Sequence, residues 1–282
     1  MQKKLWVGLL CMAVALMAAR RDYDLEDRST VNHTFSGDKT FDVDLINGSI
    51  DVTGDGSNTI RVTGERIIRA ASRDQIDRAK RDDVLDMNEK EGTAQIYENG
   101  PFRDGNNHTS DNHGFHERND HEYEVTWNLT VHVPREMALH LRSVNGHIDA
   151  HDTSGAYDIR AVNGPINLTG IAGSGNISTV NGPNTITFRE NPKSDSVFTS
   201  VNGKVDVAFQ PNLSADFNLK TVNGGMFTDF ESTMLASTGK AEQENGKFVY
   251  RRRGESDIRV GSGGPKIRIE TVNGSIQIRK EK

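Results

Sequence analysis

One tripeptide frame occurs seven times along this 282-residue chain, as Ile46-Asn47-Gly48 and then as Val-Asn-Gly with its asparagine at 145, 163, 181, 202, 223 and 273. From Asn145 the intervals are 18, 18, 21 and 21 residues, followed by one of 50. A fixed period of about 20 residues marks a repeat architecture, in which each unit buries its apolar face only by stacking on its neighbours. The residue ahead of the apolar one is Ser143, Ala161, Thr179, Ser200, Thr221 or Thr271, with Leu45 the single large exception, so that position is narrow. The 50-residue interval leaves room for further coils that lack the motif.

A short alternating strand follows each Asn-Gly, as in Ser49-Ile50-Asp51-Val52, His147-Ile148-Asp149-Ala150, Pro165-Ile166-Asn167-Leu168, Lys204-Val205-Asp206-Val207 and Ser275-Ile276-Gln277-Ile278. A glycine-containing turn comes next, such as Thr153-Ser154-Gly155 or Ile171-Ala172-Gly173, and a second strand such as Ala156 to Val162 runs into the next Asn-Gly. Each repeat therefore reads as a coil of at least two strands. The fold class expected is all-β, a parallel β-helix, right-handed by the general hand of parallel crossovers. Equivalent asparagines stacked about 4.8 Å apart would hydrogen-bond in a ladder. Asn-Gly is also the strongest short hairpin signal, because both residues tolerate φ > 0, so an antiparallel meander or barrel is the alternative. From Val125 onward a period of about 20 residues gives roughly seven or eight coils, with the last strands capping the stack.

Upstream of the repeats the pattern is less regular. Lys3 and Lys4, the apolar run Leu5 to Met17 and the small residues Ala18-Ala19 read as a secretion signal over 1–19. Cys11, the one cysteine, lies inside that run, so an exported chain cleaved there has none and depends on its core and its backbone hydrogen bonds. Without Lys3 and Lys4 the chain carries 32 basic against 40 acidic residues, a balance that repels nucleic acid. Residues 20–34 are polar without a period and are expected to be a disordered leader. An N-terminal β coil over 35–97 surrounds Asn47. It includes a short helix over 72–81, announced by the capping box of Ser72 and Gln75, and a hairpin about Glu89 to Gly92.

Residues 98–121 carry His108, His113, His116 and His121 with Asp111 and Glu117, among Asn, Asp and Gly, as expected of a long solvated loop. The histidine spacing matches no closed metal site, and no metal or cofactor is expected. The repeat domain then occupies 122–282.

The order of elements carries a resemblance. An alternating strand ending in Val133-Pro134 leads to the strand Leu139 to Val144 and to serial Val-Asn-Gly coils. Gly263-Gly264-Pro265-Lys266-Ile267-Arg268-Ile269 precedes a final Thr271-Val272-Asn273-Gly274-Ser275-Ile276. Over most of the exported chain this resembles the bacterial putative-adhesin family of β-strand-repeat proteins. The resemblance implies a β-helical protein exposed at the cell envelope and carries over no catalytic residue. The histidine-rich loop and the 50-residue interval depart from it.

No nucleophile elbow, zinc-ligand pair on a helix, P-loop or dinucleotide fingerprint is present, so no catalytic residue is assigned. Asp51, Asp149 and Asp206 occupy equivalent outward positions, but Asn167 and Gln277 stand at the same place, as on a solvated face. Arg251-Arg252-Arg253 is the one dense basic run, and it reads as a protected strand edge. The expected function is that of a non-catalytic exported binding or scaffold protein, periplasmic, on the cell surface or secreted, meeting an envelope polymer or a protein partner. The alternative is a carbohydrate-active enzyme, lyase or hydrolase, built on the same fold.

Overall fold

The computed structural model describes residues 23–37, 39–101, 123–235, 242–244, 247–249 and 255–281. The segments 1–19, most of 98–121 and Arg251 to Arg253 lie outside the described residues, and with them the expectations attached to them. The chain opens with β1 (Leu25–Phe35), β2 (Thr40–Asn47), β3 (Ile50–Asp55), β4 (Ile60–Ala70), α1 (Arg73–Asp82), β5 (Val84–Lys90), β6 (Thr93–Asn99) and β7 (Tyr123–Pro134). Paired strands follow on either side of each Asn-Gly: β8 (Ala138–Asn145) and β9 (Ile148–His151), β10 (Tyr157–Asn163) and β11 (Ile166–Ile171), β12 (Gly175–Asn181) and β13 (Asn184–Phe188), β14 (Ser196–Asn202) and β15 (Val205–Phe209), β16 (Ala215–Asn223) and β17 (Met226–Thr228). The chain closes with β18 (Ser232–Met234), β19 (Glu242–Glu244), β20 (Lys247–Val249), β21 (Glu255–Val260), β22 (Lys266–Asn273) and β23 (Ile276–Lys280).

Two large sheets face each other. The first runs β1-β4-β7-β3-β9-β11-β13-β15-β23-β17, the second β18-β21-β16-β22-β14-β12-β10-β8-β2-β6-β5. Each Asn-Gly is a corner at which the chain leaves the second sheet and enters the first. In the middle of both sheets the pairing is parallel and keeps one register, with Asn145 opposite Asn163, Asn163 opposite Asn181 and Asn181 opposite Asn202. The ends are antiparallel, through β1-β4-β7, β5-β6 and β16-β21-β18. Among the described residues the protein is therefore all-β, with two large mixed sheets, the small antiparallel pair β19-β20, one helix and no closed barrel, and it is not uniformly parallel.

The core lies between the sheets, because alternation turns every second strand residue inward. Val43, Leu141, Ile159, Ile177, Phe198, Ile269 and Leu219 form one stacked row, each at most 3% exposed. Buried aromatic residues occur at both ends of the stack: Phe35 and Phe41 lie 6.5 Å apart near the N-terminal strands, and beyond the middle Phe188 stacks on Phe209 at 5.0 Å between ring centres and Phe209 meets Phe217 edge-on at 5.7 Å. Asn184 interrupts an apolar row and donates its amide Nδ2 to the Thr199 carbonyl at 2.8 Å.

The corners are built without hairpin geometry. No asparagine of the ladder has positive φ, and of its glycines only Gly48 does. The expected hairpin, β5-β6, by contrast turns at Glu91 and Gly92 with φ of 54° and 78°. Glycine is required at the corners because a Cβ on Gly146, Gly164, Gly182, Gly203, Gly274 or Gly224 would sit 1.8 to 2.2 Å from the glycine carbonyl oxygen of the next coil. The narrow position two residues before each asparagine has a matching cause. Ser143, Thr179, Ser200, Thr271 and Thr221 are buried, and their hydroxyls donate to those same carbonyls, of Gly48, Gly164, Gly182, Gly203 and Gly274, at 2.9 to 3.1 Å. Ala161 breaks this row opposite Gly146. Ala161→Ser is expected to restore the missing bond and stabilise the protein by about 1 kcal/mol, read as a rise of a few degrees in the thermal midpoint.

The end of the chain departs most from expectation. After β15 the chain passes one position along the stack and lays down β16 and β17. It turns back through β18 and β21, and then threads β22 and β23 into the vacant position. β22 pairs on one side with β14 and on the other with β16, and β23 pairs with β15 and β17. The last strands are thus interior and do not cap the stack. Among the described residues the 50-residue interval holds no further coil, and six Asn-Gly coils follow residue 125 instead of seven or eight.

Two further corrections concern the N-terminal part. Residues 25–34, expected within a disordered leader, belong with Phe35 to β1, which is paired with β4 over eleven residues and tied by Glu26 to Arg69 and Arg28 to Glu65. The segment around Asn47 belongs to the same stack as the repeats, since β2 pairs with β8 and β3 with β9. The helix is where the capping box places it, with Ser72 as N-cap, and it buries Ile76 and Ala79.

Candidate binding surface

Seven asparagines line one corner of the stack in the spatial order 47, 145, 163, 181, 202, 273, 223. Each Nδ2 donates to the Oδ1 of the asparagine before it in that order, at 2.7 to 2.9 Å. The ladder ends beyond Asn47 at Glu98, whose carboxylate accepts from the backbone amides of Ile46 and Asn47. With the hydroxylic residue turned inward, alternation turns the next residue, the valine, outward. Val180, Val201, Val272 and Val222 are 39, 41, 41 and 65% exposed, whereas Ile46 at the other end is 5% exposed. The result is an amide ladder seven positions long, about 29 Å at the parallel-strand spacing, flanked over its later coils by an apolar ridge of Val180, Val201, Val272 and Val222. β-branched residues are favoured in any strand, which is the plain explanation of the valines. That preference applies equally to threonine, which none of the seven positions holds.

A cleft of about 500 Å³ opens on the outer face of the second sheet, over β14, β22, β16 and β21. It exists because β22 brings Lys266 and Arg268 between Asp195 and Asp216, residues whose spacing in the sequence gives no sign of the neighbourhood. Its three carboxylates all have partners. Asp216 receives two bonds from the Arg259 guanidinium at 2.7 and 2.8 Å, which hold its carboxyl below the usual carboxylate range. Asp195 accepts from the Lys266 amide, and Asp257 accepts from Asn218. Arg268 is paired with Glu270. On the same sheet face Asp42 is pushed upward by burial, an effect that Arg142 opposes. Burial also raises the Tyr157 phenol, whose ring fits against Gly175.

The outward aspartates are divided by the structure. Along the first sheet the row reads Thr130, Asp51, Asp149, Asn167, Thr185, Asp206, Gln277. Asp51 and Asp149 are immediate neighbours, whereas Asp206 lies three positions from Asp149, nearly buried beneath Arg279 and Lys204. The valine ridge was not recognised in the sequence, although the constant hydroxylic residue beside it was the signal that could have shown which way the valine points.

No protein-family profile matches the chain, and no curated relative matches it. Among solved structures it is similar to a "putative cell adhesion protein" from Clostridium sporogenes, at 9% identity and a TM-score of 0.46, over 90% of this chain and 100% of that one. It is similar also to a "putative adhesin" from Bacteroides fragilis, at 10% identity and a TM-score of 0.28, over 90% and 97% of the two chains. A "putative lipid binding protein" from Parabacteroides distasonis aligns at 11% identity and a TM-score of 0.26, over 91% and 97%. At such identities and scores the likeness extends to neither ligand nor role. Among the described residues no helix is long and apolar enough to cross a membrane.

Proposed function

We propose that this is a non-catalytic, exported binding protein of the cell envelope or its surroundings, wound as a right-handed parallel β-helix over its central coils, and that the valine ridge with its asparagine ladder is the face it presents. The observation that carries this reading is the ridge itself. A run of apolar side chains recurs at outward positions, where core packing gives no reason for it, and contiguous exposed apolar surface marks contact sites. The amides alongside supply a regular row of polar groups to a linear polymer or an extended peptide. An acidic chain makes nucleic acid a poor partner.

The test is binding of the protein, residues 20–282, to an array of envelope glycans, peptidoglycan and host-surface polymers, with the polymers analysed afterwards for cleavage. The combined variant Val201→Thr, Val222→Thr and Val272→Thr keeps shape and β-branching while removing the apolar surface. It is expected to melt within about 0.5 kcal/mol per site of the parent and to bind at least tenfold more weakly. Undiminished binding by this variant would remove the ridge from the proposal.

The cleft lined by Asp195, Asp216 and Asp257 favours a second reading, a carbohydrate-active enzyme. A glycosidase needs one carboxyl kept protonated as the acid, and Asp216, held low by Arg259, is unsuited to that role. Shortened polymer in the array experiment would establish the enzyme in place of the binding protein.

A further inference from the structure

Asp51, His147 and Asp149 meet on the outer face of the first sheet, where the corner between β8 and β9 lies beside β3. Each offers one ligand atom, and the three atoms lie within 4.8 Å of one another. His147 Nε2 is 3.5 Å from Asp51 Oδ1. Two ligands of a tetrahedral zinc ion with bonds of about 2.1 Å stand about 3.4 Å apart, so this pair is already at ligand spacing. Asp149 is steadied from behind by Asn167, whose Nδ2 donates to its Oδ1 at 2.8 Å, as outer groups steady metal-binding carboxylates.

The charge balance provides an independent reason. Asp51 and Asp149 stand directly opposite each other on adjacent parallel strands, an arrangement that disfavours two like charges. The equivalent aspartate farther along the row, Asp206, is matched by the Arg279 guanidinium at 2.6 Å and the Lys204 ammonium at 3.4 Å. At Asp51 and Asp149 the side chain on hand is the imidazole of His147. In the other coils the residue at its place is Ser49, Pro165, Pro183, Lys204, Gly225 or Ser275. The one imidazole at this corner position thus falls in the one pair of coils whose outward aspartates adjoin.

We infer that Asp51, His147 and Asp149 form a binding site for a divalent transition-metal cation of the zinc type. The imidazole nitrogen and two carboxylate oxygens supply three ligands, and water completes the shell, since His147 and Asp51 are 44 and 41% exposed. Bound there, the ion ties the coil of Asn47 to the coil of Asn145, which are 98 residues apart in the chain. It would therefore stabilise the joint between the N-terminal strands and the repeats.

Calorimetric titration of the purified protein with zinc chloride tests this, comparing the parent with His147→Ala, Asp149→Asn and, as a control one strand step away on the same face, His151→Ala. Histidines elsewhere in the chain can add sites of their own, so the quantity read is the difference between proteins. His147→Ala and Asp149→Asn are each expected to bind one zinc equivalent fewer, or that equivalent at least tenfold more weakly, and to lose the zinc-induced rise in thermal midpoint. His151→Ala is expected to keep both. The side chains are partly exposed, and melting without metal checks that each variant folds. Unchanged stoichiometry and affinity in His147→Ala and Asp149→Asn, or the same loss in His151→Ala, would overturn the assignment.

Discussion

Ending the chain at Gly261 is expected to unfold the stack on both sides of the missing coil. Ile267, Ile269, Ile276 and Ile278 are at most 1% exposed, and burial of four such side chains contributes on the order of 6 to 12 kcal/mol. A whole domain is typically stable by about 5 to 15 kcal/mol, so the loss approaches all of it. Its location is as informative as its size. β22 and β23 are hydrogen-bonded on both edges, to β14 and β15 on one side and to β16 and β17 on the other. Hydrogen exchange followed by mass spectrometry is expected to show protection lost from β16 and β17 as well as weakened at β14, while the coils of Asn145 and Asn163 retain theirs. A terminal cap would give another pattern, with exchange quickened only at one outer strand. Full protection of β16 in the shortened protein would contradict the interior placement of the last coil.

Gly164→Ala is expected to cost about 3 kcal/mol or more. The new Cβ would lie 2.0 Å from the Gly146 carbonyl oxygen and 2.6 Å from its carbon, both backbone atoms. Relief requires the coils to part at the place where Gly146 N bonds Asn163 O and Ile148 N bonds Pro165 O. Gly56→Ala is the matched control, because nothing lies within 4 Å of its added Cβ and its φ is not in the left-handed region. That change is expected to be neutral or to stabilise by up to about 1 kcal/mol through the unfolded chain. Urea midpoints of the two variants measure the contrast. Similar behaviour would mean that the ladder glycines serve conformational freedom and not the close approach of backbones.

Much of this architecture was legible because its signals are local. The 18- and 21-residue spacings gave the coils, the alternation around Ile50, Ile148 and Ile166 gave the inward faces, and Ser72 with Gln75 gave the helix. The order of the last coils was not legible. Every Asn-Gly coil offers its neighbours the same register, so nothing in Thr271-Val272-Asn273 says whether it stacks outside Asn223 or between Asn223 and Asn202. β1 was missed for a different reason. It is an edge strand with polar side chains on both faces, and its order comes from eleven paired residues of β4 that no local pattern reveals. The cleft and the Asp51–His147 cluster were hidden by the same non-local pairing. The cleft needs β22 in place, and the site of Asp51 and His147 joins residues from two coils that the segment carrying β4 to β7 separates in sequence.

The passing-over of one position divides the repeats into two kinds as heritable units. Between Asn145 and Asn202 the order of coils in space is their order in the gene, so duplication or loss of a whole 18-residue module would lengthen or shorten the stack and leave every remaining contact intact. Downstream of Asn202 the two orders differ. A module gained or lost there would change how far the chain must reach to leave one vacancy of the right width, and the returning strand would find either no gap or one too wide. Length variation among descendants of this gene should therefore accumulate in the 138–202 region, while the arrangement beyond it is inherited as a block.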